Sequence, residues 1–170
     1  MAEYWDLYTK DRAPLGKTIE RGKQNGCAAY HLVVFVVVRN SKGEYLITKR
    51  APKKSFGGKW EFTGGSALSG ENSETAAMRE ALEETGIDHS SSKRTFIGSD
   101  IGIWDDGALG WHGDIDDLWL FEADFDINSV KLQKGETTDV KWATRDDIDA
   151  LSREKRFCNL NIFKKYADRF

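Results

Sequence analysis

Residues Gly65 to Ile87 read GSALSGENSETAAMREALEETGI. Glu71, Glu74, Glu80, Glu83 and Glu84 fall within fourteen residues of this stretch. Asn72 or Ser73 can cap a helix, and Gly86 stands where a left-handed C-cap belongs, so the pattern predicts a helix over 73–85. Ala76, Ala77, Leu82 and Met78 supply its apolar stripe. The i, i+3, i+4 spacing of Glu80, Glu83 and Glu84 puts three carboxylates on one face, one turn apart. Like charges so placed repel, and at a helix C-terminus they also oppose the dipole. Arg79 is adjacent, but one guanidinium does not balance three acids. A hard divalent cation does, because magnesium takes oxygen ligands and keeps waters and substrate phosphates in its shell. An acidic helix face is more often plain solvated surface. Gly64 and Gly65 favour the metal reading, since they let the backbone turn sharply and bring bare carbonyls near the acids.

The rest of the chain frames this helix. A length of 170 residues suits one domain, and 39% hydrophobic residues with 12% aromatics fit a packed core. Net charge is −3, with Lys and Arg scattered, which argues against a nucleic-acid polymer as partner. Cys27 and Cys158 form no zinc or redox motif and read as free thiols. The polar N-terminus is no signal peptide, and the longest apolar run, Leu32 to Val38, is too short to span a bilayer. A soluble, cytoplasmic protein with no membrane partner is the expectation.

Residues 1–29 read as a leader that lies on the domain or pairs as an edge strand, and residues 30–170 as the domain proper. LVVFVVV predicts a doubly buried strand over 31–39, followed by a turn and a returning strand over 43–50, together a hairpin. Residues 53–58 form a basic loop, 60–62 a short extended piece, and Gly64-Gly65 a turn. Further strands are expected near 95–103, 117–125 and 140–143, then a helix capped by Thr144 and a last helix over 159–168. Strands interleaved with helices indicate an α/β domain with a mixed sheet. Residues 104–116, with Trp104, Trp111 and His112, suggest a hairpin or loop beside the site, and Trp119 joins them as a stacking candidate. Asp105, Asp106, Asp114, Asp116 and Asp117 read as solvated, and Asn159 or Asn161 as a base-edge contact.

The stretch resembles the Nudix box, G-x5-E-x7-R-E-U-x-E-E-x-G-U with U apolar. It matches through Gly65, Glu71, Arg79, Glu80, Ala81, Glu83, Glu84, Gly86 and Ile87. A chance match in a chain this long is on the order of one in ten million. YLITKRA and GGKWEF before the box, and KWATRDDI after it, are similar to the MutT-type branch. The resemblance implies a Nudix fold, an α/β/α sandwich with a central mixed β-sheet. It also implies divalent-metal-dependent hydrolysis of a nucleoside diphosphate linked to a moiety X, with Mg2+, or Mn2+ in its place, as cofactor and a small-molecule diphosphate as substrate.

Residue by residue, the resemblance makes Glu83 and Glu84 a metal-binding pair and Glu80 a third ligand or the general base. It makes Gly64 a carbonyl ligand and Arg79 the residue that orients the acids through Glu71. Glu136, six residues before Trp142, matches an extra catalytic or metal-binding glutamate. Arg50 matches a phosphate contact, and Lys53 and Lys54 stand near enough in sequence to assist. Gly65, Glu71 and Gly86 are structural members of the box.

Two departures bear on this. Thr63 stands where MutT-type members commonly carry proline. The leader EYWDLYTKDRAPLGKTIERG is similar to that of the isopentenyl-diphosphate-isomerase-like branch, whose isomerases use a cysteine after the tryptophan. Residues 61–66, EFTGGS, hold none, and the EE pair those enzymes lack is intact here. A catalytically silent nucleotide-binding module is the remaining alternative, and a homodimer through the leader is one arrangement the superfamily uses.

Overall fold

The structure, a computed structural model, describes residues 2–23, 28–105, 111–158 and 160–170. Among these residues the chain forms a mixed sheet flanked by helices on both faces. The run LVVFVVV lies in β3 (Tyr30–Arg39), the central strand. β3 pairs in parallel with β8 (Trp111–Glu122) from Tyr30↔Gly113 to Arg39↔Glu122. On its other edge β3 pairs antiparallel with β6 (Thr63–Ser66). Strands covered on both faces need apolar side chains at odd and even positions alike, which accounts for the unbroken run. Val34, Val36 and Val38 pack into one apolar cluster with Ala76, Ala77 and Ala81 of α1 (Ser73–Thr85). Val37 faces the other cluster, built with Ile148 and Leu151 of α2 (Arg145–Arg153) and Ile162 and Phe163 of α3 (Asn161–Lys165). The expected α/β/α sandwich is thus observed.

The hairpin expected of the strands over 31–39 and 43–50 forms only at its turn. β4 (Tyr45–Arg50) meets β3 at the single pair Arg39↔Tyr45, then diverges to lie between β5 (Trp60–Glu61) and β9 (Thr137–Ala143). Parallel pairing with β8 and antiparallel pairing with β6 already fill both edges of β3. The chain reversal at 40–43 is nonetheless a tight turn, with the Gly43 N–H donating to the Asn40 carbonyl at 3.0 Å. β7 (Lys93–Asp105) and β8 form a long antiparallel pair. The last helix is shorter than expected, five residues followed by a 3-10 turn at Ala167–Arg169.

The leader extends the sheet. β1 (Tyr4–Tyr8) and β2 (Pro14–Glu20) form an antiparallel hairpin, and Tyr8 pairs with Tyr30 at the start of β3. At the hairpin turn Arg12 donates to both carboxylate oxygens of Asp117, through Nη1 at 2.9 Å and through Nη2. Asp117 is fully buried and also accepts from Ser99. The expectation of solvated acids therefore fails for Asp114 and Asp117, both buried. It also fails for Asp116, whose carboxyl is pushed up to about 7 by burial and by its neighbours Asp114, Asp100 and Asp117. A strand sandwiched between layers has no solvent face, so alternation does not turn its acids toward water. Asp106 lies outside the described residues, as do Cys27 and Asn159.

Candidate active site

The site is assembled where the C-terminal half of α1 lies over β3 and β6, beside β4 and β5. Helix α1 begins at the Asn72 cap, whose side chain accepts from the Thr75 N–H at 2.9 Å. It ends at Gly86, whose φ of 70° an L-residue rarely adopts and whose N–H reaches the Leu82 carbonyl. Ala81, not Leu82, completes the buried stripe, and Leu82 is 46% exposed. The stripe is small because β3 and β6 pass close beneath.

Gly64 and Gly65 do not turn the chain. They are rungs of β6 opposite Phe35 and Val34. A Cβ on Gly64 would lie 2.1 Å from the Val34 carbonyl oxygen, and one on Gly65 would lie 2.6 Å from the Glu80 carboxylate. The glycine pair therefore admits β3 on one side and the Glu80 side chain on the other, a close-approach role rather than a conformational one.

Period-two alternation sorts the neighbouring side chains. Trp60 and Phe62 enter the α2–α3 cluster, so Glu61 and Thr63 face α1. Thr63 donates its hydroxyl to Oε2 of Glu84, and the Gly64 N–H supports the same carboxylate. Glu84 is 7% exposed, and its carboxyl is pushed up to about 8, chiefly by burial and further by Glu61 and Glu80. The substitution of proline by Thr63 thus adds a donor to the acid at the centre of the site.

Arg79 does more than the sequence suggests. Its guanidinium bonds Glu71 through Nε at 2.8 Å and Nη2 at 2.9 Å. Nη1 reaches Glu80 at 2.7 Å and Glu83 at 3.1 Å, and Nη2 also donates to the Ser66 carbonyl at 3.0 Å. One cation therefore does touch three of the acids, because a planar five-donor fork serves several partners at once. Burial raises the Glu80 carboxyl above its usual range against the pull of Arg79. For Glu71, burial is outweighed by Arg79 and the Leu68 N–H, and its carboxyl is held below that range.

The remaining candidates occupy the rim. Glu136 precedes β9, forms an ion pair with Lys54, and accepts the Ala51 N–H on its carbonyl at 2.8 Å. Lys53 is exposed. Arg50, at the end of β4, donates through Nη1 to Glu61 at 2.6 Å and through Nε to the Ser55 carbonyl at 2.7 Å. Glu61, 4% exposed, was not singled out from sequence. Its only signal there is an acid flanked by two aromatic residues, which reads equally well as a solvent-facing position. Cys158 stands 3.5 Å from Glu61, and burial pushes its thiol up to about 12, so it is no thiolate nucleophile. Trp119 is tied by its indole N–H to Ser73 at 2.8 Å, at the N-terminal end of α1 and away from the acid pair.

The donor set suits a hard dication. Glu80, Glu83 and Glu84 offer only carboxylate oxygen, and among the described residues no cation is bonded to Glu84, which lies buried against further acids. Among the described residues no three such side chains already converge on one point, since Arg79 and Lys54 draw Glu80, Glu83 and Glu136 aside. The fit is therefore one of chemistry and placement, with side-chain rotation completing it.

An acid-bearing helix laid over a Gly-Gly strand inside an α/β/α sandwich defines a class, the Nudix hydrolases. The NUDIX domain family model matches residues 29–165. An uncharacterized Nudix hydrolase of Listeria monocytogenes is 34% identical over 91% of this chain and 88% of its own length. The 8-oxo-dGTP diphosphatase of Escherichia coli is 43% identical over 30% of this chain and 40% of its own. The crystal structure of DR0079 from Deinococcus radiodurans superposes with a TM-score of 0.68 at 22% identity, covering 90% of this chain and 89% of that one. The chain belongs to the Nudix family and is a hydrolase acting on acid anhydrides. No helix among the described residues is long and apolar enough to cross a membrane.

Proposed function

We propose that the protein is a Mg2+-dependent pyrophosphohydrolase, with Mn2+ able to substitute, that cleaves the diphosphate linkage of a nucleoside diphosphate linked to X. The observation that carries this is Glu84, buried beside Glu80 and Glu61 and bonded by a hydroxyl and a backbone N–H. A bound dication would be held by Glu80, Glu83, Glu84 and the Gly64 carbonyl, and would withdraw phosphate charge and acidify water. Arg79 keeps Glu80 and Glu83 oriented while Glu71 anchors its other edge. Arg50, with Lys54 and Lys53, binds the phosphates. Glu80 or Glu136 accepts the proton of the attacking water, Glu136 after release from Lys54. The leader, residues 1–29, belongs to the same unit as a hairpin that extends the sheet.

The E. coli relative acts, by its name, on an oxidised nucleoside triphosphate, but its likeness spans only 30% of this chain. It supports the phosphate chemistry and leaves X open within the nucleoside-diphosphate class. The test is a panel of nucleoside triphosphates, nucleotide sugars, dinucleoside polyphosphates and isopentenyl diphosphate, with and without Mg2+. Metal-dependent release of a monophosphate supports the reading; isomerised product, or heat of binding without product, refutes it.

A further inference from the structure

We propose that Glu61 is a positioning residue that holds the guanidinium of Arg50 in one orientation for the substrate's phosphate. This rests on the reading of Arg50 as a phosphate contact. Glu61 is almost fully enclosed, on the α1-facing side of β5 directly opposite Thr48 of β4. An ionised carboxylate so placed is costly, and Gln would fill the same space without adding charge beside Glu84. Among the described residues the cation bonded to Glu61 is Arg50, through Nη1 at 2.6 Å. Arg50 is held on a second edge by the Ser55 carbonyl at 2.7 Å. Two bonds on different edges of a planar fork fix its plane, and neither uses Nη2. The strand carrying Glu61 is itself pinned: Trp60 donates to the Arg156 carbonyl at 2.8 Å, and Cys158 donates its N–H to the Trp60 carbonyl at 2.9 Å. The Cys158 thiol meets the same Glu61 oxygen as Arg50 does. The arrangement is a rigid acceptor aimed at one arginine, beside the acids that would hold a metal.

The experiment is a double-mutant cycle on Glu61→Ala and Arg50→Ala, with Glu61→Gln as a variant that keeps an acceptor oxygen. The readouts are KM and kcat on the best substrate of the panel above, and Kd for inorganic pyrophosphate at fixed Mg2+. Glu61→Ala is expected to raise KM and Kd about tenfold with a smaller change in kcat. The double variant is expected to be no worse than Arg50→Ala alone, and Glu61→Gln to recover part of the KM loss. If Glu61→Ala does not fold, Glu61→Gln replaces it in the cycle, and the same non-additivity is required. Additive effects, or a loss in kcat at unchanged KM, overturn the role of Glu61 while leaving Arg50 a phosphate contact. An Arg50→Ala protein with wild-type KM and pyrophosphate affinity overturns both.

Discussion

The hydroxyl of Thr63 donates to the buried carboxylate of Glu84, joining the residue before the glycine pair to the last acid of the box. Thr63→Val keeps the shape and removes the donor. A carboxylate that loses a donor binds its proton more tightly. The acid limb of the kcat/KM–pH profile should move to higher pH, and stability should fall by about 1–2 kcal/mol. An unmoved acid limb would show that the contact has no influence on Glu84.

Glu84→Gln should fold and should lose turnover by about a hundredfold or more, since the amide cannot serve as an anionic ligand. Wild-type rates at saturating Mg2+ would remove Glu84 from the site.

Metal binding should stabilise the folded chain. With free Mg2+ about a hundredfold above its Kd the gain is about 2.7 kcal/mol, visible as a rise in Tm. The rise should shrink sharply in Glu84→Gln. Equal rises in both proteins would place the ion elsewhere.

The metal-free protein should show a pH signature. Burial raises the Glu84 carboxyl from 4.5 to about 8 in the folded state. Between those values the unfolded chain has released the proton and the folded chain keeps it, so this contribution to stability falls as pH rises and levels off above about 8. Asp116, raised from 3.8 to about 7, acts with the same sign at lower pH. His89, lowered by burial from 6.5 to about 4, acts with the opposite sign between those values. Comparing wild type with Glu84→Gln isolates the first contribution. The stability advantage of the variant should widen from about pH 5 to pH 8 in denaturant melts. A constant difference would refute the assignment.

Arg12→Ala should strip Asp117 of its cation and leave a fully buried carboxylate with Ser99 as its remaining bonded partner. A loss of about 3 kcal/mol is expected, with amide exchange accelerated first in the β1–β2 hairpin. Asp117→Asn should cost less, because it removes the buried charge and leaves behind Arg12, which is partly exposed to water. Uniform exchange across the sheet would mean that the hairpin is not held by this pair.

Much of this was legible before any coordinates. The box sets its own helix limits, because Asn72 and Gly86 are local signals and capping needs no tertiary partner. LVVFVVV announces a doubly covered strand by composition alone. The bond between Arg79 and Glu71 is the one that the resemblance to the box implies. Other readings failed where local and long-range pairing compete. The hairpin of β3 and β4 is plausible in sequence, yet beyond the single pair Arg39↔Tyr45 that edge of β3 is taken by β6, while β8 holds the opposite edge. Gly64-Gly65 looks like a turn until β3 supplies a strand to pair with it.

Which acids would crowd at one helix end, and hence the class of chemistry, was determined by the order of the residues alone, since a helix of 3.6 residues per turn converts spacing into a face. Which groups answer those acids was decided only by the tertiary structure. Thr63 and Glu61 reach Glu84 and Arg50 because β6 pairs with β3 and β5 with β4, each with a given face toward α1. A strand's alternation specifies two faces, and only packing against another layer says which of them is the inside.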